Sequence, residues 1–323
     1  MSTAMLLFAD SVGARVPPRA RAQVHSVFLS ACNLETDCGE LITLLAPDSG
    51  NIPHGIRCAR PFSLLYLRLR RGQAAKLEGA MLRIAAADFI LDLSRATVWN
   101  RTLAAAPPGL CGTHARGALR KLRETLCAHA PDKGVAPALF RSGSPRSTIE
   151  RALVARMAQT LPILARATEA SDPDAVASAL NALVGLGVGL TPAGDDFIVG
   201  YLAGLWSRSF RDPGIATLLR LLAMPVRQLS LRTNAISRQM LLDALQGHFA
   251  ERLIEIMRCV CDGNDVAGAT MRALEVGHSS GADVLCGLLF GYSTRLTAKP
   301  IKDFDMDNHF ADRHAVRLAA IAC

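Results

Sequence analysis

Hydrophobic positions change their period about a third of the way along the chain. Early on they form short apolar or alternating runs: Ser26–Ser30, Leu41–Leu45, Ile52–Ile56, Leu64–Arg70, Met81–Ile84, Phe89–Leu93 and Thr97–Trp99. Turn signals such as Asp48-Ser49-Gly50-Asn51 separate them, so each reads as a strand. Short strands at this spacing predict a β-rich domain, barrel- or sandwich-like, over residues 21–108. Residues 1–20, with Arg15, Pro17, Pro18 and Arg19, read as a flexible lead-in. Ala106-Pro107-Pro108-Gly109 marks a boundary, and helical periodicity follows it. A helix is expected over 115–128. Ser147-Thr148-Ile149-Glu150 opens another, running to about Ala170, with a capping-box signal. Asp172-Pro173 starts a third, with proline in its tolerated first-turn place. Further helices are expected at 197–207, 214–224, 226–246, 249–261, 264–275 and 282–295. The predicted class is α+β, with a mainly α-helical domain over 109–297 and a tail of unassigned structure over 298–323.

Composition narrows the function. Of the 323 residues, 50% are hydrophobic and 20% charged, which excludes a disordered chain. Aromatics at 5% argue against base stacking. The formal charge of +8 favours anionic partners. The densest basic run, Arg68, Arg70 and Arg71, is too sparse for a nucleic-acid face, so no nucleic-acid partner is expected. Nine scattered cysteines show no zinc spacing and fit a reducing compartment. The N-terminus lacks a secretory pattern, and no apolar run reaches about 18 residues. A cytoplasmic chain without a membrane partner is expected.

The chemistry concentrates in two segments. Gly185-Leu186-Gly187-Val188-Gly189-Leu190-Thr191-Pro192-Ala193-Gly194-Asp195-Asp196 breaks one helix and starts the next. Thr191 is expected as N-cap and Pro192 as the first helical residue. Free N–H groups and a positive dipole end would then make an anion site. The segment lacks the G-K-[ST] ending of a P-loop. Gly277-His278-Ser279-Ser280-Gly281-Ala282-Asp283 resembles it. Gly194 and Gly281, Asp196 and Asp283, Gly200 and Gly287, and Gly204 and Gly291 are each 87 residues apart. Glycines four apart share one helix face, so two helices are predicted to pack through glycine stripes with Asp196 and Asp283 near one pocket.

Bland readings stand beside each of these. Glycine-rich helix starts also serve as packing corners, and the dipole alone favours first-turn aspartates. His278 either donates to a substrate oxygen or bonds to loop backbone. Thr233, Asn234 and Ser237 either line the pocket or are ordinary polar positions, and Arg232 and Arg238 either balance the aspartates or pair with an anion. His248 after Gly247 suits a helix end, and Cys286 a core position. Asp195, Asp196 and Asp283 are also of the type that holds Mg²⁺, although no resident cofactor or metal is required.

Gly189 to Phe197 and Gly277 to Asp283 together resemble the signature of the AllH family, with Thr233, Ser237 and Gly247 similar to its intervening segment. The resemblance spans about residues 24–295 and is strongest at the two Gly/Asp motifs. It implies a subunit of oxamate carbamoyltransferase, a transferase of anaerobic allantoin breakdown. The implied reaction joins carbamoyl phosphate and oxamate to give oxalurate and phosphate, or runs in reverse. The implied partners are AllF-like and AllG-like subunits. Asp196, His278 and Asp283 are the expected catalytic residues. Gly189, Thr191, Gly194, Asp195, Thr233, Ser237, Ser279, Ser280 and Gly281 are the expected substrate-binding set. The competing expectation is a non-catalytic scaffold or small-anion-binding subunit.

Overall fold

The computed structural model describes residues 5–60, 69–101, 113–140 and 147–293. Nine strands, β1 (Met5–Gly13), β2 (Arg19–Val27), β3 (Ala31–Thr36), β4 (Leu41–Leu45), β5 (Gly55–Cys58), β6 (Ala74–Glu78), β7 (Met81–Ile84), β8 (Phe89–Asp92) and β9 (Thr97–Trp99), form one sheet among the described residues. The order is β5-β4-β3-β2-β6-β7-β8-β1-β9, and β1 also pairs antiparallel with β5. That last pairing closes eight strands into a barrel, with β9 joined to the end of β1 through Ser11–Gly13. The architecture is therefore a barrel and not a sandwich. Closure matters physically because it removes the unpaired edges an open sheet would present.

Strand β1 corrects the expectation of a flexible lead-in over residues 1–20. It is the barrel's closing strand, pairing with β5, β8 and β9. Its inward positions are Leu7, Ala9, Ser11 and Gly13, whereas Leu6 and Phe8 face outward, half exposed. Alternation is present, but it places mostly small residues inside and large ones outside. The expected strand at Ser26–Ser30 is instead the end of β2 plus a turn, and β3 and β6 were not anticipated. The strand expected over Leu64–Arg70 falls mainly outside the described residues, as do the Ala106–Gly109 boundary and the tail. Aliphatic side chains including Val24, Leu34, Ile42, Leu44, Ile56, Leu82 and Leu91 fill the barrel.

The rest is helical: α1 (Thr113–His129), α2 (Ala136–Phe140), α3 (Thr148–Ala170), α4 (Pro173–Asn181), α5 (Ala193–Ser209), α6 (Pro213–Leu229), α7 (Ala235–Leu245), α8 (Glu251–Asp262), α9 (Val266–Leu274) and α10 (Ser280–Ser293). The cap signals act as expected. Ser147 and Glu150 form a capping box on α3, and Asp172 caps α4 ahead of Pro173. The helices expected at 214–224 and 226–246 divide elsewhere. Helix α6 runs through Pro225 to Leu229, and a 3₁₀ turn at Ser230–Arg232 precedes α7. Buried Leu222 and Val226 flank that proline and hold its turn in the core.

Helices α5 and α10 are apolar on nearly every face, the mark of a helix enclosed by others. Helix α5 packs on α6 and α7, and α10 on α9, α1 and α2. Phe197 and Phe290 meet between them with ring centroids 5.5 Å apart. Cys286 lies fully buried in this core. Among the described residues no helix is long and apolar enough to cross a membrane.

Barrel and helices are joined by polar contacts. Asn51 donates from its backbone N–H and its side chain to Glu251 Oε2, each at 2.9 Å, and the Glu251 N–H returns to Asn51 O at 2.8 Å. Buried His54 sits 3.1 Å from Asp243 Oδ1, and the Leu41 N–H reaches Gln239 Oε1.

Candidate functional site: two helix N-termini and a carboxyl pair

The glycine stripes bring the site together. A Cβ at Gly200 would overlap Val284 O and lie 2.8 Å from Leu288 N. A Cβ at Gly287 would overlap Phe197 O and lie 2.8 Å from Tyr201 N. These are the same contacts with the roles exchanged, since Val284 and Phe197, and Leu288 and Tyr201, are again 87 residues apart. Gly204 and Gly291 repeat the arrangement one turn further along. Helices α5 and α10 therefore cross in parallel about a local two-fold axis, and their N-termini lie side by side. Without hydrogen in place of a side chain at these positions, backbones could not approach so closely.

The helix start differs from the expected one. Pro192 is the N-cap of α5 and Ala193 its first residue, so Thr191 stands one place outside. Several N–H groups expected to be free are already used. Gly194 donates to Leu186 O at 2.8 Å, and Asp195 and Asp196 donate back to Pro192 O. On α10 the Gly281 N–H goes to Val276 O and the Asp283 N–H to Ser279 O. Gly194 and Gly281 are also matched in packing. A Cβ on either would overlap a carbonyl of the preceding helical segment, Leu183 O or Ala273 O.

The adjacent aspartates have different work. Asp195 accepts from the Gly185 N–H at 2.8 Å on one oxygen and from the Thr233 hydroxyl on the other. It ties the glycine loop and the start of α7 to α5. Asp196 is 1% exposed, and neither of its oxygens has a hydrogen-bond partner of normal geometry among the described residues. Burial pushes its carboxyl well above the ordinary carboxylate range. The nearby Ser280 and Thr191 hydroxyls oppose that rise, while the charges of Asp283 and Asp195 add to it. The two hydroxyls are bonded to each other, Thr191 Oγ1 to Ser280 Oγ at 2.8 Å, bridging the helix starts.

Asp283 accepts from the Val135 N–H at 2.6 Å through Oδ1, while buried Oδ2 has no partner among the described residues. Burial pushes its carboxyl up to about 7, against the pull of the Val135 amide, the Ser279 hydroxyl and Lys133. A group whose folded pKa exceeds its unfolded value of about 3.9 takes up protons on folding. Its stabilising contribution is complete below about pH 4 and is lost as pH rises through about 7. Asp283→Asn keeps an acceptor for Val135 and cannot ionise. Its unfolding free energy, from urea titrations at pH 4 to 8, is expected to decline less than that of the unaltered chain, by on the order of a few kcal/mol. Parallel profiles would show that Asp283 ionises as it does in water.

The structure gathers Thr191, Gly194, Asp196, Ser279, Ser280, Gly281 and Asp283 at the paired helix starts. Thr233 and Asp195 adjoin them as a bracing pair. Gly189 lies at an exposed loop tip, and His278 is exposed ahead of α10. Ser237 is buried at the start of α7, below its cap Asn234, and its hydroxyl has no hydrogen-bond partner among the described residues. Arg232 reaches Asn181, not the aspartates, and Arg238 is exposed. Among the described residues no cluster of three or more His, Cys, Asp or Glu side chains is placed to hold a metal ion. The Lys133-Gly134-Val135 turn was missed from sequence. Gly134 has φ of +69°, and a Cβ there would overlap Asp283 Oδ1. The only local sign was a glycine in a polar turn.

The family model for oxamate carbamoyltransferase subunit AllH matches residues 183–292, and that for the AllH family N-terminal domain matches residues 6–98. No solved structure matches the chain. One match takes in both Gly/Asp helix starts and the other nearly the whole barrel, and on that footing this chain belongs to the AllH family.

Proposed function

We propose that this chain is a subunit of an oxamate carbamoyltransferase-like assembly, with AllF-like and AllG-like subunits as partners, acting in the cytoplasm in allantoin and purine breakdown. It would handle carbamoyl transfer between carbamoyl phosphate and oxamate, giving oxalurate and phosphate. The observation that carries the reading is the buried carboxyl pair at joined helix N-termini, with three carboxyl oxygens lacking a hydrogen-bond partner of normal geometry among the described residues. The family name supports the subunit role and the oxamate-related substrate.

The chemistry follows from the two environments. Two parallel helices turn two positive dipole ends toward one place, which suits small anions. Asp283, poised near neutrality, suits a general base. It would take the proton from the oxamate amide nitrogen as the C–N bond forms. Asp196, kept protonated, would donate to the oxyanion of the tetrahedral intermediate. Phosphate then leaves with the electrons of the C–O bond. Thr191, Ser279 and Ser280 offer hydroxyls to the substrate oxygens, and His278 would close over them. Substrate entry needs the loop to open, and Gly185, Gly187 and Gly189, all at positive φ, supply its pivots.

The scaffold reading draws on one observation: both carboxyls are only 1% exposed. Calorimetric titration of the purified chain with carbamoyl phosphate, with and without saturating oxamate, separates the two. Saturable heat from carbamoyl phosphate that oxamate strengthens is the expected result, and Asp283→Asn should abolish that oxamate-dependent part. Absence of heat with either ligand, both for the chain and for its assembly, would leave the scaffold reading.

A further inference from the structure

A cleft of about 550 Å³ lies between the barrel and α8, and it shares no lining residue with the carboxyl pair. The loop after β4, at Ser49 and Gly50, forms one wall together with Arg57 of β5 and Arg101 after β9. Arg252 and Arg258 of α8 line the other wall. Its volume lies in the usual small-molecule range of about 300–1,000 Å³.

Three acids, Asp48, Glu251 and Glu255, also line it. Glu251 is occupied by the Asn51 amides and lies 4.0 Å from Arg57, which also holds Asp10 at 3.0 Å. Glu255 is held by Arg272 at 2.6 Å and stands 3.7 Å from Arg252. Asp48 is exposed. Arg101 and Arg258 have no acidic partner among the described residues. Two guanidinium groups from opposite walls are thus left to share whatever enters. A planar guanidinium matches carboxylate and phosphate oxygens through paired N–H donors. No aromatic side chain is among the described lining residues, so nothing there stacks a nucleobase.

We propose that this cleft is a second anion site, taking a small doubly charged oxyanion, a phosphate group or a short dicarboxylate, clamped between Arg101 of the barrel side and Arg258 of α8. It is independent of the carboxyl pair and would stand if that site proved inert. Because both walls contribute, bound anion would also couple the barrel to the helices. The full chain is titrated calorimetrically with inorganic phosphate and, separately, with malonate, in chloride buffer. Saturable binding of at least one is expected, and the tighter of the two identifies the ligand class. Arg258→Gln and the exposed Arg101→Gln are each expected to weaken it about ten-fold or more, with unfolding midpoints near that of the unaltered chain. Asp283→Asn is expected to leave it unchanged. Failure of both anions to bind, wild-type affinity in both arginine variants, or loss of binding in Asp283→Asn instead would each overturn the proposal.

Discussion

Gly287→Leu is expected to prevent the helical half from folding. The Cβ alone would overlap Phe197 O and press on Tyr201 N, and both atoms belong to the backbone of α5. A flexible side chain can swing aside, but a carbonyl inside a helix ladder cannot. Relief therefore requires α5 and α10 to separate along their length, losing the buried contact of Phe197, Tyr201 and Phe290. The cost should exceed about 4 kcal/mol, a large share of the roughly 5–15 kcal/mol that holds a domain together. Soluble yield and thermal unfolding followed by circular dichroism measure it. Gly200→Leu should behave alike, because the local two-fold gives it the same surroundings. Gly117→Ala is the contrast: it lies within α1 with nothing within 4 Å of its Cβ, and should hold or raise stability by about 0.4–1 kcal/mol. A Gly287→Leu chain that melts cooperatively within a few degrees of the unaltered one would refute the close backbone packing.

Asp196→Asn carries the second large effect, and it falls on turnover. Asparagine has the shape of the protonated carboxyl and suffers no cost of burying charge, so the fold should persist. The variant should even gain some stability at high pH, where the buried acid is driven to ionise. What it loses is the acidic proton, and loss of a positioned acid or base typically costs about 10²–10⁴ in rate. Turnover of the assembled complex with carbamoyl phosphate and oxamate is the measurement, with the unfolding midpoint as the control. Wild-type turnover in a folded Asn variant would remove Asp196 from the chemistry and leave its burial as a packing feature. A comparable loss in both Asp196→Asn and Asp283→Asn, without additivity, would mark the pair as one acid–base unit.

Much of this arrangement could be read from residue order. The spacing of Gly200, Gly204, Gly287 and Gly291 predicted the paired helices, because a four-residue repeat is a face on any helix. The caps at Ser147 and Asp172 were legible for a similar reason, since a cap closes within three residues of itself. Strand β1 was not, because its inward positions are partly Ala9, Ser11 and Gly13 and its apolar signal faces out. Pro225 suggested a break that the surrounding helix packing overrides.

The aspartate doublet marks the limit most sharply. In sequence Asp195 and Asp196 are indistinguishable neighbours. In the fold they point about 100° apart around α5. One meets Gly185 and Thr233 and is satisfied as a brace, while the other meets α10 and has no hydrogen-bond partner of normal geometry among the described residues. The turn from Lys133 to Val135 against Asp283 lies almost 150 residues away along the chain and left no local trace. Periodicity, capping and turn chemistry act over a few residues, so most of the helices, the glycine seam and the residue types at the two helix starts were legible in residue order. Barrel closure, the division of labour between the aspartates and the arginine cleft depend on which distant groups share a dry or a wet environment. That is set by long-range packing, which no local pattern encodes.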